Sequence, residues 1–334
     1  MIDTSIETMA PAWPVTLAEI TAARQRLASY LEVTPLRRYP LLDAHIGGDC
    51  ALFVKHEHHH PTGSFKVRNG LSFLTALTAD ERRHGVVTAS TGNYGQAIAY
   101  ASALLGVNAT ICVPVGNNPE KNAAIRSWGA KVHEEGRDYD ESLEAAFRIA
   151  RSDGAAMAHG TNSPHVITGA GTMAVEMLEQ SGGLDALVVA VGGGSQAVGA
   201  LTVARELAPG LPVYAAQAQG ASATHDSWRL KRPTTTARAD TFAEGVATRQ
   251  PYSLTFATLL EGLADFVTVT DAELADAIRV IFGFTHNLVE GAGAVGIAAA
   301  LKLRETLRGK RVGVILSGGN LDTAVLRRVL NREL

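Results

Sequence analysis

Cysteine is scarce in this chain: two in 334 residues, Cys50 and Cys112, the second inside the apolar run ATICVPV. A disulfide framework is therefore excluded and a reducing, cytoplasmic setting is expected. Charge of one sign never gathers either. The 30 Lys and Arg nearly balance 33 Asp and Glu, for a formal net charge of −3, so there is no basic field to follow a phosphate backbone and no nucleic-acid partner is expected. Long apolar runs are missing as well. Nothing reaches the about 18 uninterrupted apolar residues of a membrane span, and the opening MIDTSIETMAPAWP lacks the cationic head and apolar centre of a secretory signal. There is no P-loop, no G-x-S-x-G elbow, no low-complexity tract and no repeat of fixed period.

What is present is apolar material in a regular rhythm. At 46% hydrophobic residues the chain can fill a sizeable core in one large or two closely packed units. After a loose arm of about a dozen residues, TLAEITAARQRLASYL carries apolar positions at helical spacing. Strand-like runs then alternate with amphipathic segments: VVTAS with GQAIAYASALLG, ATICVPV with EKNAAIRSWG, KVHEE with DESLEAAFRIAR. A second series follows, ALVVAVGGG with SQAVGALTVARELA, then PVYAAQ, DFVTVT with DAELADAIRVIFG, and RVGVILSGG before a closing helix. This alternation predicts α/β architecture with mainly parallel sheets. Residues 85–159 are expected to form a smaller unit inserted into a larger one built from 1–84 and 160–334.

His56 to His60, HEHHH, matches the zinc-peptidase pattern H-E-x-x-H. That chemistry needs two histidines one helical turn apart on a shared face. CALFVK before them is a β-type run, and Pro61 disfavours helix at His60. Reading the segment as extended, His56 and His60 stand well apart, and no metal site is assigned.

Chemistry is sought instead at Lys66, in PTGSFKVRNG. Apolar Phe65 and Val67 and the nearby Arg68 all favour the neutral amine, the form that attacks carbonyls. VAVGGGSQAVGA places Gly192, Gly193, Gly194 and Ser195 between a strand and a helix, where free N–H groups and the helix dipole make an anion cup suited to phosphate. The same stretch loosely fits the dinucleotide fingerprint, but the acidic ribose reader is replaced by Gln217 and Gln219. TASTGNYGQ offers Ser90, Thr91, Gly92 and Asn93 as donors for a carboxylate, and RVGVILSGGN ends a strand at Ser317, Gly318, Gly319 and Asn320.

In this order, PTGSFK, STGN, VGGGS, EGAGA and LSGGN resemble the fold-type II enzymes that depend on pyridoxal 5′-phosphate (PLP), in the branch of serine/threonine dehydratases and serine racemases. The similarity covers about residues 15–330. It implies a tryptophan synthase β-like fold of two three-layer α/β domains and a homodimer. By the same resemblance Lys66 carries the cofactor aldehyde, with Phe65 beside the ring, Asn93 on the ring hydroxyl, Gly192 to Ser195 on the phosphate, Ser317 facing the pyridine nitrogen, and Gly245 and Glu290 close by. Ser90, Thr91, Gly92, Asn93 and Tyr94 clasp the substrate α-carboxylate. The implied reaction is β-elimination from a β-hydroxy-α-amino acid, threonine or serine first, giving a 2-oxo acid and ammonia. Phenylserine or 3-hydroxyaspartate dehydration and amino-acid racemisation are alternatives within the family; an NAD-binding oxidoreductase or a non-catalytic ligand-binding module are alternatives outside it.

The chain departs from the pattern at several places. Tyr94 stands where a histidine is frequent and is expected to reshape the cleft. HEHHH replaces a shorter polar stretch, and its side chains are expected at the substrate entrance. AQAQG, with Gln217, replaces the acidic sequence of a usual cation site. Thr91 falls where racemases place a serine base. No regulatory extension follows the final helix, so allosteric control of the kind found in longer deaminases is not expected.

Overall fold

A computed structural model describes residues 12–334; the expected N-terminal arm lies outside them. Ten strands form two sheets: β1 (Leu36–Arg37), β2 (Ala51–Lys55), β3 (Val86–Ala89), β4 (Ala109–Val113), β5 (Lys131–Glu134), β6 (Ala156–Met157), β7 (Ala186–Ala190), β8 (Val213–Ala218), β9 (Asp265–Val269) and β10 (Arg311–Ile315). The larger sheet has the order β1-β2-β10-β7-β8-β9 and is parallel except at β1. The smaller, β5-β4-β3-β6, is wholly parallel and drawn from residues 86–157. The two rhythms read from the sequence thus become two sheets.

Helices cover both faces of the larger sheet, which is why ALVVA and RVGVI are continuous apolar runs rather than alternating ones. Val188, Val312 and Val314 enter one core, while their neighbours Leu187, Val189 and Ile315 enter the core on the opposite face. The smaller sheet repeats the device. Ile111 and Val113 point to one side, and Cys112 with Val87 and Ala89 to the other. Both cysteines are buried and free. Thr16 with Glu19 and Thr270 with Glu273 form capping boxes at the starts of helices Leu17–Leu27 and Asp271–Thr285, fixing where each begins.

Helix Lys66–Ala76 is wedged between helices Asn93–Leu105 and Pro164–Ser181. The wedge depends on glycine. A Cβ at Gly70 would come 2.7 Å from the Ala97 carbonyl oxygen, and one at Gly169 would come 2.5 Å from that of Arg68. This close packing fixes the first turn of the helix, and with it Lys66, against both neighbours. Among the described residues no helix is long and apolar enough to cross a membrane.

Candidate active site

The loops leaving β2, β3, β7 and β10 all start at carboxyl ends of parallel strands, the side on which open α/β sheets bind ligands. The loop after β2 is stitched to the loop after β10. Phe65 N–H donates to the Ser317 carbonyl (2.9 Å), Gly319 N–H donates to the Gly63 carbonyl (2.8 Å), and Ser64 forms a β-bridge with Gly318. Lys66 and Ser317, remote in sequence, are thereby held together.

Lys66 Nζ lies 4.9 Å from the centre of the Phe65 ring and has no hydrogen-bond or ion-pair partner among the described residues. Burial pulls its pKa down to about 8, opposed in part by Glu290. The contribution expected from Arg68 is not found. Arg68 turns away from Lys66 and donates to both carboxylates of a buried group: Nε to Glu57 (2.7 Å), and Nη1 and Nη2 to Glu176 (2.7 and 2.8 Å). Desolvation, not a cationic neighbour, lowers the Lys66 amine.

At the end of β7, Gly192 to Gly194 lead into helix Ser195–Leu207, whose N-terminus has no side-chain cap. Its first amides, which have no intrahelical acceptors, are therefore left open to a ligand. Substitution is blocked on every side. A Cβ at Gly193 would stand 2.1 Å from Thr161 Oγ1, and Gly194 has a left-handed φ of +99°. Thr255 Oγ1 donates to the Gly193 carbonyl (2.8 Å), turning that loop's N–H groups the other way. Gly245 abuts Gly192: a Cβ on Gly192 would come 2.7 Å from the Gly245 carbonyl oxygen.

From Gly245 the chain of contacts continues to Glu290, whose Oε1 would lie 3.9 Å from a Gly245 Cβ and 2.3 Å from a Gly318 Cβ. Asn93 Nδ2 donates to Glu290 Oε1 (2.6 Å), and Asn320 Nδ2 donates to Asn93 Oδ1 (2.7 Å) and to the Thr62 carbonyl (2.9 Å). Burial pushes the Glu290 carboxyl up to about 7. Ser317 is buried, and its hydroxyl donates to the Ala292 carbonyl at 3.2 Å. Helix Asn93–Leu105 also begins uncapped, with Gly92 N–H accepted by Ser90 Oγ (3.2 Å). A second set of open amides thus lies beside Asn93.

The structure thereby joins Lys66, Phe65, Asn93, Gly192, Gly245, Glu290 and Ser317 into one network. Asn320, Thr161 and Thr255 belong to it too, although no role was read for them. The terminal residue of SGGN was the available signal for Asn320. Nothing local in the sequence marks the two threonines, which reach the glycine loop from distant segments.

The structure also places the residues at which the chain departs from the family pattern. The Tyr94 ring is buried among the core residues of the smaller sheet, against Gly160, where a Cβ would lie 3.3 Å from it. Residues 56–60 are not extended. Glu57–His59 form a 3-10 turn, which brings the His56, His58 and His59 rings together and sends His60 to Glu57, 3.2 Å away. Those histidines pack against Tyr39 and Asn287, not an entrance. Gln217, which stands in place of the acid of a cation site or ribose reader, is fully buried; it donates to Thr248 Oγ1 (3.1 Å) and accepts from His225 N–H (3.0 Å), so its amide is committed to packing.

A profile of the family described as "Pyridoxal-phosphate dependent enzyme" matches residues 27–318. The chain belongs to that family. This PLP-dependent enzyme is 35% identical to the L-threonine ammonia-lyase of Thermotoga maritima over 320 residues, 96% of this chain and 79% of that protein. It is 33% identical to the L-threo-3-hydroxyaspartate ammonia-lyase of Saccharomyces cerevisiae, over 92% of this chain and 94% of that one. The solved structure of maize serine racemase superposes with a TM-score of 0.90 at 28% identity, covering 96% of this chain and 98% of that one. The site fits the cofactor: an unpaired amine of lowered pKa suits an aldehyde, and the uncapped, glycine-lined amides after β7 suit a phosphate. The NAD and non-catalytic readings are overturned by the family match.

Proposed function

We propose that this enzyme is a dehydratase, or ammonia-lyase, for a β-hydroxy-α-amino acid of the threonine or serine type, releasing a 2-oxo acid and ammonia. What supports this reading is the unpaired amine of Lys66 on a loop stitched to Ser317, with Asn320 and Glu290 linking that loop to the uncapped helix at Asn93 and Gly245 linking Glu290 to the uncapped glycine loop after β7. The first two relatives reported above are named for such eliminations.

In this reading Lys66 would hold the cofactor covalently and serve as the base for the substrate α-proton; its lowered pKa brings the proton-accepting amine much closer to neutral pH than an ordinary lysine allows. Gly192 to Ser195 hold the phosphate, Gly245 closes that loop, and Phe65 packs beside the ring. Bound PLP supplies an electron sink for the charge left when the α-proton departs. Ser90 to Tyr94 orient the substrate carboxylate through open amides and hydroxyls, Tyr94 through its backbone alone. Asn93 presents its amide to the ring hydroxyl, and Glu290 fixes that amide while holding a proton of its own near neutrality. Ser317 would offer the bound cofactor's ring nitrogen a neutral hydroxyl rather than a carboxylate, an environment suited to elimination of the β-hydroxyl. Residues 85–159 act as the smaller, carboxylate-binding unit, and the working form is a cytoplasmic homodimer. Light scattering on the purified enzyme tests the dimer.

A racemase activity is the second reading. It is favoured by the likeness to maize serine racemase and opposed by Thr91, whose β-branched side chain replaces the serine of the racemase pattern. A panel of hydroxy amino acids, followed for 2-oxo acid and for optical rotation in parallel, separates the two. Formation of 2-oxo acid from threonine or serine supports the dehydratase; racemisation without it overturns that reading.

A further inference from the structure

The HEHHH segment has no part in the network around Lys66, yet its geometry is that of a ligand set. The 3-10 turn nearly superposes residues three apart, so the His56 and His59 rings stack with centroids 4.9 Å apart. His58 stands edge-on to His59 at 4.3 Å and lies 5.3 Å from His56. One ring nitrogen from each of the three lies within 4.8 Å of the other two. His58 Nε2 and His59 Nε2 both contact Asn287 Oδ1, at 3.1 and 2.9 Å, and His56 Nε2 contacts the Tyr39 hydroxyl at 3.0 Å. His56 is fully buried, and its Nδ1 has no hydrogen-bond partner among the described residues. Burial is graded outward, His56 enclosed, His58 partly covered and His59 exposed, which leaves a path from solvent.

We infer that His56, His58 and His59 form a binding site for a transition-metal cation of the zinc class, with Asn287 Oδ1 beside them as a fourth donor. Three imidazoles and one amide oxygen, with no carboxylate, select zinc, cobalt, nickel or copper over magnesium or calcium. Glu57 cannot serve: both its oxygens are engaged by Arg68, and His60 is drawn to it. For the same reason this is not the zinc-peptidase site that H-E-x-x-H suggests, because its glutamate and second histidine both point elsewhere. Zinc–nitrogen bonds of about 2.0–2.1 Å need nitrogens roughly 3.3 Å apart in a tetrahedron. The trio therefore closes by about an ångström, with the exposed His59 free to move.

The site lies where three chain segments meet. The turn precedes the Lys66 loop, Asn287 precedes Glu290, and His58 backs the loop after β10, since a Cβ at Gly319 would come 3.4 Å from His58 Cβ. A cation here clips those segments together from outside the reacting centre. The inference does not rest on the proposed reaction.

Cobalt(II) titrated into chelator-treated holoenzyme tests it. One equivalent per chain should bind, with the intense visible d–d absorption of low-coordinate cobalt, and zinc should displace it. His59→Ala, at an exposed position that folding does not need, should weaken binding by at least about tenfold, and zinc should raise the melting temperature of the parent enzyme but not of this variant. Because the cofactor also chelates metals, its own absorbance is followed throughout. Absence of cobalt binding, or equal affinity in the parent and in the His58→Ala/His59→Ala double variant with cofactor retained, overturns the proposal.

Discussion

Lys66 and Arg68 sit two residues apart on one helix, Arg68 buried and Lys66 partly buried, and they have opposite fates. Arg68 is saturated: Glu57 and Glu176 take its guanidinium, Lys55 Nζ completes the group by donating to Glu176 (2.6 Å), Gln180 (2.7 Å) and the Thr34 carbonyl (2.8 Å), and two cations face two anions. Burial pushes the Glu57 carboxyl up, but Arg68 and His60 outweigh it, and the group stays well below the usual carboxylate range. Lys66 has no such partners, and its pKa falls. Enclosure alone does not make a reactive group. A buried cation whose donors are all used anchors a helix; one left without partners is poised to react.

The largest expected effect lies at the reactive member. Lys66→Ala should lower turnover by about 10³-fold or more and abolish the borohydride-trapped cofactor adduct while leaving the protein folded by circular dichroism; persistence of both activities would break the contrast. Next comes the anchor. Glu176→Ala leaves Arg68 and Lys55 underpaired in the interior and should cost about 3–5 kcal/mol in urea unfolding, a loss that marks the cluster as structural if folded protein keeps its cofactor.

A smaller effect has the opposite sign. Lys66→Met should stabilise the cofactor-free protein at pH 7 by about 1–3 kcal/mol. In the window from about pH 8 to the ordinary lysine value the native amine has lost its proton while the unfolded one keeps it, so stability of the parent rises with pH and the gap to the variant should narrow there. Urea midpoints at pH 7 and pH 10 measure this. The mildest change is Glu290→Gln. The Glu290 carboxyl, raised to about 7, contributes stability fully present below its ordinary value and lost as pH rises through about 7. Glutamine should flatten that decline while keeping the approach to Asn93, and an unchanged slope would show that Glu290 is not the group that titrates.

Much of this is legible in the amino-acid sequence. Runs such as ALVVA, ATICV and RVGVI announce strands covered on both faces, and the five ordered glycine and lysine motifs mark the loops that meet. The failures have a common cause. Alternation was assumed for HEHHH, but a tight turn after β2 replaced it. Arg68 was read as a neighbour of Lys66 because it is near in sequence, although successive positions on a helix face different ways.

The sequence by itself determined which segments become strands and which loops are rich in donors, because period and glycine content act over a few residues. Only the tertiary structure decided which charges are neutralised. Glu57 and Glu176 reach Arg68 from separate elements, with Lys55 joining through Glu176, and no local pattern encodes that they arrive there and leave Lys66 alone. Ionisation in an interior follows from what surrounds a group in space, and those surroundings exist only after the chain has packed.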